Sequence, residues 1–233
     1  MPRRVPWNDF PDVIIHASES SVKKHPAYPA AKAGDADSAQ RLVDETVSLE
    51  AVESIKKLLG ERRPYLASAH AFERDGVNSI PQAIADKLAS LLGLEVERSI
   101  VQVNVVRHTG ASGYGRLARQ ALFQGNITPG TMYFLVDDFI GQGGTLANLR
   151  GFIETEGGTV LGATVLTGKP FSAQISLGSE QLLSLRKKHG QKLESWWHER
   201  FGHAFDCLTQ SEARYLERSE DVDAIRDRIA AQE

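Results

Sequence analysis

The sequence predicts an α/β fold: a central, mainly parallel sheet flanked by helices, with helical or irregular extensions at both ends. Three observations carry this expectation. Short apolar, β-branched runs alternate with stretches of helical period, the pattern of strands joined through crossover helices. The runs YFLV (133–136) and TVLGATVLTG (159–168) contain consecutive apolar positions, as strands buried on both faces do. Beyond Lys169 the chain turns charged and mostly helical.

Each element follows in order. Residues 1 to about 35, with Pro2, Pro6, Pro11, Pro26 and Pro29, read as irregular. From Asp35 to Gly60 apolar residues recur at helical intervals, and Gly60 is a plausible stop. PYLASAHAF (64–72) reads as a short strand. IPQAIADKLASLLGL (80–94) reads as a helix with Pro81 in its first turn and Gly93 near its end. SIVQVNVV (99–106) is β-branched and predicts a sheet strand. A glycine-containing segment (107–130) leads to the strand TMYFLVDD (131–138), a helix ending at Gly157 and Gly158, and the strand 159–168. Three segments follow: an N-terminal extension at 1–63, a core at 64–169 and a helical C-terminal extension at 170–233.

Composition narrows the function. A chain of 233 residues with 41% hydrophobic content can bury a sizeable core. A formal charge of -3 carries no global signature of nucleic-acid or acidic-membrane binding. The lone Cys207 excludes an internal disulfide framework and suits a reducing cytoplasm. The first twenty residues lack the continuous apolar region of a signal peptide, and no run approaches the roughly 20 apolar residues of a membrane span. The expectation is a soluble, cytoplasmic protein with no membrane partner.

The stretch YFLVDDFIGQGGT (133–145) concentrates the chemistry. An apolar strand ends on two adjacent acids, Asp137 and Asp138, and glycines follow at 141, 143 and 144. Parallel sheets bind ligands beyond the carboxyl ends of their strands, where these acids would lie. The glycines let backbone approach a ligand closely. Their N–H groups, with the next helix N-terminus, form a phosphate cradle to which Thr145 adds a hydroxyl. Two carboxylates beside a phosphate make sense when they face neutral hydroxyls or a cation. A ribose 5-phosphate offers that combination.

These residues resemble the phosphoribosyl pyrophosphate (PRPP) signature of type I phosphoribosyltransferases. The resemblance implies that family's fold, with Asp137 and Asp138 on the ribose hydroxyls and Gly141, Gln142, Gly143, Gly144 and Thr145 around the 5′-phosphate. Gln142 departs from the family's usual threonine and Gly141 from its usual alanine or threonine. A lost hydroxyl would weaken phosphate binding by about 1 to 2 kcal/mol unless the amide substitutes. The likeness spans roughly Pro64 to Lys169. SAHAFERDGVNSIPQAIADKLASLLGL (68–94) is similar to the competence-associated branch, which makes Ala67 to Ala71, including Ala69 and His70, a pyrophosphate-binding loop and Arg74 a charge partner. His70 reads equally as a structural histidine and Arg74 as a solvated one. Residues 107–123 correspond to the family's flexible loop, with Gly110, Gly113 and Gly115 as hinges and Tyr114, Arg116 and Arg119 in reach of the pyrophosphate; Arg107 ends the preceding strand.

The implied activity is transfer of phosphoribose from PRPP to a nitrogen acceptor, a base, nucleotide or other, with release of pyrophosphate. It would need Mg²⁺ held by pyrophosphate and ribose oxygens, so that Asp137 and Asp138 meet the metal only indirectly. Asp137, Asp138 and Arg116 are the catalytic candidates, and Phe139 the best aromatic to face an acceptor. The alternative is a non-catalytic PRPP- or nucleotide-binding regulator on the same fold. The terminal segments match no acceptor-binding pattern, and a homodimer, common in the family, stays open.

Competing motifs fail. GATVLTGKP (162–170) misses the P-loop spacing and has Pro170 where a hydroxyl residue is needed; GASGYG (110–115) lacks the dinucleotide spacing. WWHERFGH (196–203) sets His198 and His203 five apart, not the four of a zinc-protease helix. TQSEARYL reads as a capping box from Thr209 to Glu212. RKKHGQK (186–192) reads as a solvated helix face, or less simply as a contact for nucleic acid or an acidic partner.

Overall fold

In a computed structural model of the chain, residues 1–69, 78–104 and 112–232 are described, together with the backbone at 72–73 and 76–77. The N-terminal segment forms β1 (Ile14–Ile15), α1 (Glu19–Lys23), α2 (Tyr28–Lys32), α3 (Ala36–Thr46) and α4 (Leu49–Leu59). Next come β2 (Tyr65–Ser68), the short pair β3 (Phe72–Glu73) and β4 (Gly76–Val77), α5 (Ile80–Leu92), β5 (Val96–Glu97) and β6 (Val101–Gln102). The chain continues through α6 (Gly113–Ala118), β7 (Phe123–Gln124), β8 (Met132–Ile140), α7 (Gly144–Thr155) and β9 (Thr159–Gly168). Helices α8 (Ser179–Phe201), α9 (Gln210–Glu217) and α10 (Val222–Ala230) complete it.

Among the described residues the central sheet has five strands in the order β1-β9-β8-β2-β5, and every pairing is parallel. This is the mainly parallel, helix-flanked α/β arrangement expected. Strand β8 shows why its sequence is continuously apolar. Tyr133 and Leu135 pack on one face with α7 residues such as Leu149 and Ile153. Phe134 and Val136 pack on the other with Leu42, Ile55 and Ile84 from α3, α4 and α5. Alternate side chains therefore meet two different cores. A third apolar cluster, around Trp197, Phe205 and Leu216, joins α8 and α9 and takes in Tyr114 and Leu117 of α6.

Several expectations need correction. The first 35 residues are irregular only over 1–13: beyond them β1 pairs with β9 at the sheet edge, and Ser18 caps α1. The proline-rich sequence hid a strand of only two residues. Residues 35–60 form two helices, because Ser48 stops α3 and caps α4 through the Ala51 N–H. The described part of SIVQVNVV, residues 99–104, gives the central sheet no strand; β6 pairs antiparallel with β7, and Val101 and Val103 are exposed. Strand β8 also continues two residues beyond the acid pair, because β9 still pairs with Phe139 and Ile140.

The helical C-terminal segment and the Thr209–Glu212 capping box appear as expected. Helix α8 ends at Phe201 with Gly202 in the left-handed conformation, so His198 and His203 do not share a helical face. Burial beside Trp197 and the nearby Arg4 charge lowers His203 to about 3. Among the described residues no helix is long and apolar enough to cross a membrane.

Candidate functional site

Strand β2 ends at Ser68, paired with Val136, whereas β8 runs on through Asp137 and Asp138. On that side the acids therefore clear the neighbouring strand and open into a cavity of about 590 Å³. Gly141, Gln142, Gly143 and Gly144 line it, and α7 begins at Gly144 with its N-terminus at the cavity. Gly143 has φ 83°, the left-handed geometry that turns strand into helix here. Ala69, Arg116, Phe139 and Thr145 also line the space. Of the residues singled out from sequence, His70 and Arg74 lie outside the described residues, as do Arg107 and Gly110.

Because side chains alternate along a strand, the adjacent acids leave β8 on opposite faces. Asp138 reaches the helical layer, where Lys32 Nζ at the end of α2 donates to its Oδ2 at 2.6 Å. Asp137, 7% exposed, accepts from the Asp138 backbone N–H at 2.8 Å. Burial, then the neighbouring Asp138 charge, raise Asp137 well above the usual carboxylate range. Burial acts in the same direction on Asp138, but the Lys32 charge and hydrogen bonds from Lys32, Asn78 and Asp137 outweigh it and hold Asp138 low. Between the two, a proton favours Asp137 and the negative charge favours Asp138.

The glycine turn is fixed from behind. Ser172 Oγ donates to the Gly141 carbonyl at 2.6 Å, and Thr209 Oγ1 donates to the Gln142 carbonyl at 2.5 Å. Arg4 and Glu212 form an ion pair at 2.6 Å with side chains 1% and 3% exposed, and Arg4 Nε donates to Asn148 of α7. A Cβ on Gly144 would lie 2.9 Å from Glu212 Oε1. Among the described residues, Gln142 Oε1 and Arg116 Nε are buried without a hydrogen-bond partner.

A further wall comes from residues that the sequence did not announce. Glu19 accepts from Lys23 at 2.5 Å and from Lys169 at 2.6 Å, and Lys23 Nζ sits 4.7 Å from the centre of the Phe139 ring. Lys32 lines the same cavity. No local spacing marks these residues; only folding α1 and α2 over the end of β8 brings them in. Two residues of the expected flexible loop go elsewhere. Tyr114 is buried with its hydroxyl against Ser219, and Arg119 donates to the Gln232 carbonyl. Arg116 alone of the three lines the cavity.

No family model matches the chain. It is 43% identical to "Protein TraN" of Escherichia coli over 228 residues, 98% of this chain and 51% of that protein. It is 39% identical over 154 residues to an uncharacterized protein of Haemophilus influenzae, covering 66% of this chain and 34% of that one. The chain thus spans about half the length, or less, of these curated relatives. Solved structures similar to it include an adenine phosphoribosyltransferase, at 17% identity and TM-score 0.37 over 64% of this chain and 75% of that one. Another is the UMP synthase of Leishmania donovani, at 12% identity and TM-score 0.32 over 80% and 36%. Likeness this distant fixes neither family nor activity.

Proposed function

We propose that the chain binds PRPP in this cavity and transfers its phosphoribosyl group to a nitrogen acceptor, as type I phosphoribosyltransferases do. The single observation that carries the reading is that an acid pair and a glycine-built helix N-terminus face one cavity. Protonated Asp137 can donate to one ribose hydroxyl while ionised Asp138 accepts from the other. The N–H groups of the turn and the dipole of α7 suit the 5′-phosphate. Arg116 supplies positive charge for the pyrophosphate. Affinity with the competence-associated branch rests on residues 68–94, part of which lies outside the described residues.

In the transfer, the C1–O bond breaks with its electron pair leaving on pyrophosphate. The nitrogen lone pair forms the new C1–N bond, and the acceptor nitrogen gives up its proton to the departing pyrophosphate or to water. Ionised Asp138 is placed to stabilise positive charge growing on the ribose ring. Among the described residues no cluster of three His, Cys, Asp or Glu side chains could hold a metal. With Asp137 protonated, the donor set fits a magnesium ion held mainly by ligand oxygens and water. Such an ion would offset charge on the departing pyrophosphate.

A non-catalytic PRPP or nucleotide sensor is the second reading. Its support is that the described cavity lysines are already matched internally, Lys32 by Asp138 and Lys23 with Lys169 by Glu19. Incubation with PRPP, Mg²⁺ and a panel of bases and nucleotides, read by pyrophosphate release, separates the two. Acceptor-dependent release supports the transferase. PRPP binding without release on any acceptor supports the sensor, and absence of PRPP binding removes both.

A further inference from the structure

We infer that Ser172 and Thr209, from the C-terminal segment, are positioning residues that set the glycine turn for phosphoryl binding. The inference rests on the function proposed above and extends it to residues outside the acid–glycine signature. A turn that cradles phosphate must aim its N–H groups into the cavity, which requires the carbonyls of the same peptides to be satisfied elsewhere. Here the two carbonyls at the start of the turn, Gly141 and Gln142, each accept one side-chain hydroxyl, from Ser172 at 2.6 Å and Thr209 at 2.5 Å. Both donors are 1% exposed, so water does not compete for these bonds.

Thr209 is held in place by its surroundings, and Ser172 has one further hydroxyl neighbour. Ser172 Oγ lies 2.9 Å from Ser211 Oγ. Thr209 caps α9, accepting the Glu212 N–H, while Glu212 is locked to Arg4. A Cβ on Gly143 would come within 3.0 Å of Ile175 and 3.3 Å of Thr209, so the C-terminal segment seats directly against the turn. The phosphoryl cradle is consequently assembled from two distant pieces of chain. Gly141–Thr145 supplies the donors to the ligand, and residues 172–212 hold the backs of those peptides.

The test is calorimetric titration of ribose 5-phosphate into the full chain and four variants, each first checked for cooperative unfolding. Ser172→Ala and Thr209→Val should each weaken binding about three- to tenfold, the range for one hydrogen bond. Thr209→Ser keeps the hydroxyl and should stay within about twofold, a rescue that a purely packing role would not give. Ser211→Ala, which leaves both carbonyl bonds, should also stay within about twofold. Wild-type affinity in Ser172→Ala and Thr209→Val would overturn the inference, as would equal losses in Thr209→Ser and Thr209→Val. If the wild-type chain fails to bind ribose 5-phosphate, the proposed function falls and takes this inference with it. If it binds and the first two variants bind equally well, only the inference falls.

Discussion

Replacing Lys32 by methionine removes the counter-charge of Asp138 while keeping most of the apolar stem. The ion pair is 2.6 Å long, and its side chains are 23% and 12% exposed. Exposed pairs contribute about 0–1 kcal/mol, whereas breaking a fully buried one costs about 3–5 kcal/mol. This pair lies between those limits, so Lys32→Met should lower stability by about 2 kcal/mol at pH 7.5. The pH dependence follows from Asp138, whose folded-state pKa is held low. Its stabilising contribution is present above the unfolded carboxyl value of about 3.9 and is lost as pH falls through the lower folded value. The deficit of the variant should therefore be full at pH 7.5 and shrink by pH 3.5. Urea unfolding of both proteins at the two pH values measures it. A deficit under about 0.5 kcal/mol at pH 7.5, or one of equal size at pH 3.5, would refute the assigned charge state.

Two other substitutions probe neighbouring claims. Asp137 has a raised folded-state pKa, so its stabilising contribution is present below about pH 3.9 and is lost as pH climbs toward the folded value. Asp137→Asn should therefore gain stability relative to wild type as pH rises from 4 to 8, reaching about 1–3 kcal/mol, the cost scale of a buried polar group; a gain independent of pH in urea titrations would contradict this. Arg4→Met should cost about 3–5 kcal/mol because it strands the buried Glu212 carboxylate, and Arg4→Met with Glu212→Leu should recover part of that loss. Equal losses in the single and double variants would show that the charge pair is not the cause.

Much of the scaffold can be read from local pattern because its strands are buried on both faces. The continuous apolar runs of β8 and β9 and the Thr209–Glu212 cap are direct consequences of residue type at fixed spacing. The short edge strand β1 is not legible, since two residues carry no period. Nor is the exclusion of β6 from the sheet, where β-branched propensity says nothing about partners. The same division holds at the cavity. Asp137, Asp138 and the glycine turn are contiguous and carry their own logic. Lys32 lies 106 positions from Asp138 and Thr209 lies 67 from Gln142, so only the folded chain unites them.

The central claim is that the acid pair grips sugar hydroxyls beside a phosphoryl cradle. Calorimetric titration of PRPP with Mg²⁺ into the wild type and into Asp137→Asn with Asp138→Asn tests it most directly. Saturable wild-type binding should vanish in the double variant while its cooperative unfolding persists. Unchanged affinity in a folded double variant would contradict the claim.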